Sequence, residues 1–152
     1  MDRKLSHQDK YGRAGMVSVS AKPVMRRRAV ACGEFCAASG TIDLVMVGNL
    51  PKGEALSVAR VAGVMAGKKC GELIPLCHPL PVDYVNVSFE RTGPGTITVT
   101  GEAGIEATTG VEMEALTAVS VACLTLYDMT KAVDKELRIE GVRLVEKTKE
   151  AV

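Results

Sequence analysis

The chain has 152 residues, 47% of them hydrophobic and 3% aromatic, and 19 basic against 18 acidic residues leave a net charge of +1. This composition supports one domain with a core of aliphatic side chains. Because the charges balance, the chain as a whole has no strong positive potential to attract nucleic acid or an anionic membrane, so we expect neither partner.

Residues 1–15 are polar, with scattered charge and two glycines, which predicts a flexible leader before a single domain at residues 16–152. The N-terminus lacks the apolar centre of a signal peptide, and no run of about eighteen apolar residues occurs, so we expect a cytoplasmic protein. The five cysteines contain no CxxC pair and there are only two histidines, which indicates reduced thiols and no metal site.

The first elements of the domain are β-biased. Met16–Lys22 alternates with period two and predicts a strand or an extended entry, and the run 26–32 continues as a strand to Gly33 or beyond. Three consecutive arginines in this strand point to both faces, so Arg27, like Lys22, is either solvated or helps to hold an anion. The apolar run 42–47 is compatible with a strand or a helix.

A turn at residues 51–54 precedes a predicted helix from about Ala55 to Lys69. Ala59, Gly63 and Gly67 recur every four residues on it, and this small-residue stripe lets another backbone approach closely. Lys52 lies at the positive end of the helix dipole, where a bound phosphate would compensate its charge; the alternative is a solvated lysine.

Three prolines stiffen the next segment, residues 71–81, and forbid a helix there. They hold Cys77 and His78 in fixed places. His78 is either a structural group or the best placed base near neutral pH.

Alternating strands at residues 82–92 and 96–101 form a hairpin around Gly93-Pro94-Gly95, and residues 137–147 alternate again. With a helix at residues 110–131, the element order is βαββαβ. This order predicts an α+β ferredoxin-like sandwich with an antiparallel sheet and its helices on one face. RNA-binding domains of this fold usually expose aromatic residues on the sheet, and aromatic residues are scarce here. Metal carriers usually contain a CxxC motif, which is absent. The remaining classes are an enzyme and a ligand-binding regulatory domain.

The helix at 110–131 is apolar nearly all round, so it is either buried or lies in an interface. Asp128 and Lys131, three residues apart, share one face and can pair. They either set each other's proton affinity in a site or form an ordinary ion pair at the helix end, where the dipole favours Lys131. We interpret Glu112 and Glu114 as acidic residues of the kind common in the first turn of a helix. Glu114 and Asp128 are separated by about 21 Å of helix axis, so either the ligand is long or two copies of the chain share a site.

Four strings resemble the molybdenum cofactor biosynthesis protein C family, the cyclic pyranopterin monophosphate synthases. They are MVSVSAK at 16–22, KGEALSVARVAG at 52–63, LIPLCHPL at 73–80 and TGVEMEALTAVSVACLTLYDMTKA at 109–132. The resemblance implies a lyase without a cofactor that converts the 3',8-cyclised dihydro-GTP intermediate, made by a radical SAM enzyme, to cyclic pyranopterin monophosphate and pyrophosphate. It also implies a homohexamer, a trimer of dimers with sites at subunit interfaces.

The resemblance further assigns roles to residues. It implies catalytic roles for Asp128, Lys131 and Lys52; substrate contacts for Leu76, Cys77, His78, Met113 and Glu114; and supporting positions at Glu112, Arg27, Lys22 and Lys147. Proton transfers would use Asp128, Lys131 and His78 with pKa values moved toward neutrality, and lysines would stabilise charge on the phosphates.

This chain departs from the family's common pattern at Ser18 and Met25, and residues after Lys147 differ from its glycine- and lysine-rich tail. One alternative is therefore a paralogue that binds the precursor without converting it. Another is a structural subunit that joins a hetero-oligomer through the small-residue helix.

Overall fold

The computed structural model describes residues 7–152, and residues 1–6 of the expected leader lie outside the described residues. Residues 7–15 form a turn with an isolated bridge between Gln8 and Ala14; the flexibility of the leader stays a prediction. The described chain contains strands β1 (Met25–Cys36), β2 (Tyr84–Gly93), β3 (Thr96–Ala107) and β4 (Arg138–Ala151), and helices α1 (Ser39–Val47), α2 (Ala55–Lys68), α3 (Cys70–Leu73) and α4 (Glu112–Thr130).

The four strands form one sheet in the order β2-β3-β1-β4, and every neighbouring pair is antiparallel. This topology confirms the ferredoxin-like α+β fold. The β2–β3 hairpin and α4 lie where the alternation and the helical spacing predict them, although β3 and β4 both extend beyond the predicted strand ends.

The long helices α2 and α4 cover the same face of the sheet. Gly101 of β3 lies under α4, where an added Cβ would be 2.9 Å from the carbonyl oxygen of Ala115. Fully buried aliphatic and aromatic side chains fill the layer between sheet and helices; they include Phe35, Val87, Ile97, Val99, Val119 and Leu126. On the opposite face, Arg28 pairs with Glu102 (2.8 Å) and Glu146 (3.0 Å). The helices are therefore on one face, as predicted.

The small-residue stripe of α2 is used inside the chain. Gly63 faces α4 and β2, and Gly67 faces the side chain of Val85 and the carbonyl oxygen of Glu114. Glycine lets these backbones approach closely because it has no Cβ. The stripe is consequently covered by the chain's own helix and strand, which removes the basis for a subunit contact through it.

We expect Gly63→Ala to lower the free energy of unfolding by about 1–3 kcal/mol, as overpacking of a filled core does. The new Cβ would lie 2.8 Å from the carbonyl oxygen of Ala118 and 2.9 Å from a methyl group of Val87. Urea denaturation measures the change. Gly40→Ala in α1 is the control, since a Cβ there meets nothing within 4 Å. Equal effects of the two substitutions would contradict the close helix contact.

Of the two alternatives for Met16–Lys22, a strand or an extended entry, the structure excludes the strand. The segment runs without regular secondary structure into a turn, its backbone pairs with no neighbouring strand, and the sheet begins at Met25. The short helix α3 overlaps the start of residues 71–81, where no helix was expected, but it ends at Leu73, before the first proline, Pro75. The ambiguous run at 42–47 is helical and ends at Gly48, whose φ of 70° provides the left-handed cap.

Within residues 7–152, no helix combines the length and the apolar character needed to cross a bilayer.

Candidate active site

A lysine–aspartate cluster lies at the C-terminal end of α4. The carboxylate of Asp128 accepts from Nζ of Lys131 at 2.8 Å and from Nζ of Lys52 at 3.0 Å. Lys52 Nζ also donates to the backbone oxygen of Asp128 at 3.1 Å. All three side chains are about half exposed. The structure therefore confirms the pairing of Asp128 with Lys131 and adds Lys52 to it.

The position of Lys52 follows from the turn before α2. Glu54 caps that helix, and its carboxylate accepts from the backbone N–H groups of Leu56 and Ser57, both at 2.9 Å. Lys52 reaches away to Asp128 instead. Lys52 is therefore not simply solvated: Asp128, which it shares with Lys131, compensates part of its charge within the chain.

Pairing of opposite charges moves the pKa values of Asp128 and Lys131 farther from neutral pH. Hydrogen bonds from Lys131 and Lys52 hold the pKa of Asp128 below its ordinary value, and the bond to Asp128 raises the pKa of Lys131. The prediction that neighbours move these two pKa values toward neutrality is wrong for the ligand-free chain. At neutral pH Asp128 is an anion and Lys131 a cation, so in this state neither is poised to exchange its proton.

A cavity of about 530 Å³ lies near the other end of α4. It brings together seven of the twelve residues that the sequence singled out. These are Lys22, Leu76, Cys77, His78, Glu112, Met113 and Glu114. The proline-rich loop supplies the first wall, the first turn of α4 the second, and the irregular segment 16–22 the third.

His78 is fixed by that third wall. Its Nε2 lies 2.7 Å from the backbone oxygen of Val17. A carbonyl oxygen only accepts, so Nε2 carries the hydrogen and Nδ1 of the neutral ring keeps its lone pair. The irregular path of residues 16–22 thus positions the imidazole, which the alternating pattern of this segment did not suggest.

Glu114 is not an ordinary first-turn acid. Its side chain is only 2% exposed, and Oε2 has no hydrogen-bond partner among the described residues. Burial raises the pKa of Glu114, and it raises the pKa of the neighbouring Cys77 to about 12. Burial therefore shifts both groups toward their protonated forms, and the two side chains lie next to each other on one wall of the cavity.

A smaller cavity of about 280 Å³ adjoins the first and shares Gly110 and Glu112 with it. Arg27 and Lys147 line it, and Nζ of Lys147 pairs with Glu112 at 3.2 Å. Arg27 donates to the backbone oxygens of Ala107 and Thr108, both at 3.2 Å, so it is not merely solvated. It holds the loop that leads from β3 into α4, which carries Gly110.

The candidate residues thus form two groups at opposite ends of one helix. Lys52, Asp128 and Lys131 lie together, whereas the cavities hold the other nine. Because α4 is one continuous helix over Glu112–Thr130, the separation of about 21 Å between Glu114 and Asp128 is real. Sequence reasoning did not single out His7, Thr109 and Lys149, which also line the cavities. Thr109 begins one of the strings that resemble the family, whereas His7 and Lys149 lie outside those strings.

The fold and these groups define a class: a ferredoxin-like α+β domain with a lysine-rich cluster and an acid- and histidine-lined cavity suited to a small polar ligand.

Residues 16–150 match the model of the MoaC family. A cyclic pyranopterin monophosphate synthase of Novosphingobium aromaticivorans is 54% identical over 143 residues, covering 94% of this chain and 90% of the relative. The synthase of Pelotomaculum thermopropionicum is 53% identical over 146 residues, covering 95% and 85%. The synthase of Desulfitobacterium hafniense is 49% identical over 145 residues, covering 95% and 89%. The chain belongs to the MoaC family.

Proposed function

We propose that this chain is a cyclic pyranopterin monophosphate synthase of molybdenum cofactor biosynthesis. It converts the 3',8-cyclised dihydro-GTP intermediate to cyclic pyranopterin monophosphate and releases pyrophosphate, as a phosphorus–oxygen lyase without a resident cofactor. The observation that carries the proposal is the similarity to synthases over nearly the whole chain, at about half identity.

The lysine–aspartate cluster is suited to the phosphate end of this substrate. Ring closure is attack of a sugar hydroxyl on the α-phosphorus with pyrophosphate leaving, so negative charge grows on phosphate oxygens. Lys52 and Lys131 share one carboxylate between them, which leaves the cluster with one excess positive charge at an exposed surface. A bound triphosphate replaces part of that pairing and is stabilised by both ammonium groups.

The cavity at the other end of α4 is suited to the rearranging ring system. Opening the guanine-derived ring and closing the pterin requires several proton transfers. Nδ1 of His78 offers a lone pair, because Nε2 is engaged by Val17. The carboxyl of Glu114 on the facing wall is buried, and burial raises its pKa, which makes it more ready than an ordinary carboxyl to carry a proton for transfer. One base and one acid thus line the same space.

We further propose a cytoplasmic homohexamer, a trimer of dimers, that acts after a radical SAM enzyme. Sites at subunit interfaces would unite the two groups that one chain keeps apart. The outer sides of α2 and α4 support an assembly, because they expose apolar side chains, namely Val58, Val61, Met65, Leu124 and Tyr127.

The reaction is tested by pyrophosphate release from the cyclised dihydro-GTP intermediate with the purified chain. We expect release by the wild type and a loss of about 10²–10³-fold in Lys52→Ala, the usual effect of removing one group that stabilises transition-state charge. Lys68→Ala is the control, since Lys68 is also exposed and lies on α2 but forms no ion pair among the described residues. It should retain the wild-type rate.

The outcomes separate the reaction from the role of one residue. Binding of the intermediate without pyrophosphate release by the wild type would refute the proposed reaction and favour a non-catalytic paralogue. Release that survives in Lys52→Ala would refute only the role of Lys52.

A further inference from the structure

Two thiols and a carboxyl group meet behind the wall of the larger cavity. Sγ of Cys70 lies 3.9 Å from Sγ of Cys77, which in turn lies 3.9 Å from Oε1 of Glu114. All three donor atoms lie within 4.8 Å of one another. Cys70 comes from α3, Cys77 from the proline-rich loop and Glu114 from the first turn of α4, so three separate elements converge on one point.

These spacings fit a tetrahedral zinc ion. With Zn–S bonds of about 2.3 Å, two thiolates on one tetrahedral ion lie about 3.8 Å apart, and a thiolate and a carboxylate oxygen about 3.6 Å apart. Two of the three separations, both 3.9 Å, exceed these values by a few tenths of an ångström. The third, between Sγ of Cys70 and the carboxylate oxygen, is within 4.8 Å, so side-chain rotations that bring this pair closer would enclose an ion.

The second observation is the unpartnered oxygen of Glu114. Oε2 is buried and has no hydrogen-bond donor among the described residues, although the side chain is only 2% exposed. A buried carboxyl oxygen without a partner is costly, and a cation beside it removes that cost. The hydroxyl of Thr117, 3.4 Å from Sγ of Cys70, is placed to donate to a thiolate there.

We propose that Cys70, Cys77 and Glu114 bind a zinc ion, with a water from the cavity as the fourth ligand. Binding replaces the thiol protons and the carboxyl proton by the ion, and those protons pass to solvent. The larger cavity, lined by Cys77 and Glu114, provides the entry path. The site shares Cys77 and Glu114 with the cavity of the proposed function, and zinc bound there would take the place of the Glu114 proton; we assign zinc no step in the reaction. It was not expected from the sequence, because its cysteines are seven residues apart rather than in a CxxC pair.

The test is metal binding by the full chain, reduced and freed of metal. We expect one Co²⁺ per chain with thiolate-to-cobalt charge-transfer absorption and the visible bands of a tetrahedral site, all lost on addition of one equivalent of Zn²⁺. In Cys70→Ala the affinity for Zn²⁺, measured against a chromophoric chelator, should fall by at least about tenfold, since loss of even an outer partner has that effect. Zn²⁺ should also raise the melting temperature of the wild type but not of this variant.

Cys123→Ala is the matched control, because Cys123 is equally buried but lies outside the cluster. It should bind like the wild type. Cys77→Ala, at a more exposed position, serves as a second variant should Cys70→Ala fold poorly. Co²⁺ spectra without thiolate bands, or equal Zn²⁺ affinity in the wild type and a folded cluster variant, would overturn the site.

Discussion

A co-assembled 1:1 mixture of Lys131→Ala and His78→Ala chains is expected to recover about a quarter of the wild-type pyrophosphate release, although each variant alone is inactive. The physical reason is the length of α4. Lys131 lies just beyond its C-terminal end, whereas His78 lines the cavity at its N-terminal end, and about 21 Å separates the two regions. If a site takes one end from each of two copies, random pairing makes one site in four from two intact ends.

The measurement requires subunit exchange, by co-expression or by unfolding and refolding the mixture together. The control is the same treatment of each variant with itself, which should recover nothing. A mixture that stays inactive, although co-purification of differently tagged chains shows mixed oligomers, would mean that one chain binds a long ligand along its own helix. Pyrophosphate release by the untreated wild type keeps this result separate from failure of the proposed reaction.

Asp128→Asn is expected to lower pyrophosphate release by about 10²–10³-fold while leaving the fold intact. The carboxylate of Asp128 holds the ammonium groups of Lys52 and Lys131 within 3.0 Å of itself, and an amide cannot fix two cations in this way. The side chain is 56% exposed and belongs to no buried network, so its loss should have little effect on stability. Steady-state kinetics and a melting curve measure the two effects.

Asp43→Asn is the matched control for this substitution. Asp43 is a similarly exposed carboxylate and also accepts from a cation, Arg91, at 2.6 Å, but it lies far along the chain from α4 and outside the candidate groups. Normal turnover of Asp43→Asn beside a strong loss in Asp128→Asn would tie the effect to the cluster. Near-normal turnover of Asp128→Asn would refute the role assigned to its charge.

The two predictions test different properties of the same helix. Substitution of Asp128 examines chemistry at one end, while co-assembly examines whether both ends serve one substrate. The lowered pKa of Asp128 also predicts how its ion pairs depend on pH. As the pH falls through that lowered pKa, the carboxylate is neutralised and the contribution of its ion pairs is lost. At neutral pH the contribution is fully present.

Much of the fold was predictable because it depends on local patterns. Period-two alternation identified β2 and β3, helical spacing identified α2 and α4, and their order selected the antiparallel sheet that the structure confirms. The long apolar helix also predicted the distance between Glu114 and Asp128. The strings that resemble a known family singled out residues that cluster in space, but their roles stay predictions.

Only the tertiary structure decided the environment of each candidate group. Lys52 meets Asp128 across 76 residues of chain, and Cys70 meets Cys77 and Glu114 from separate elements. Residues 16–22, predicted as a strand or an extended entry, form a wall of the cavity. Local sequence determines backbone hydrogen bonding and which face of an element is apolar. Proton affinity, burial and ligand geometry depend on atoms that long-range packing brings together, and no local pattern records those neighbours.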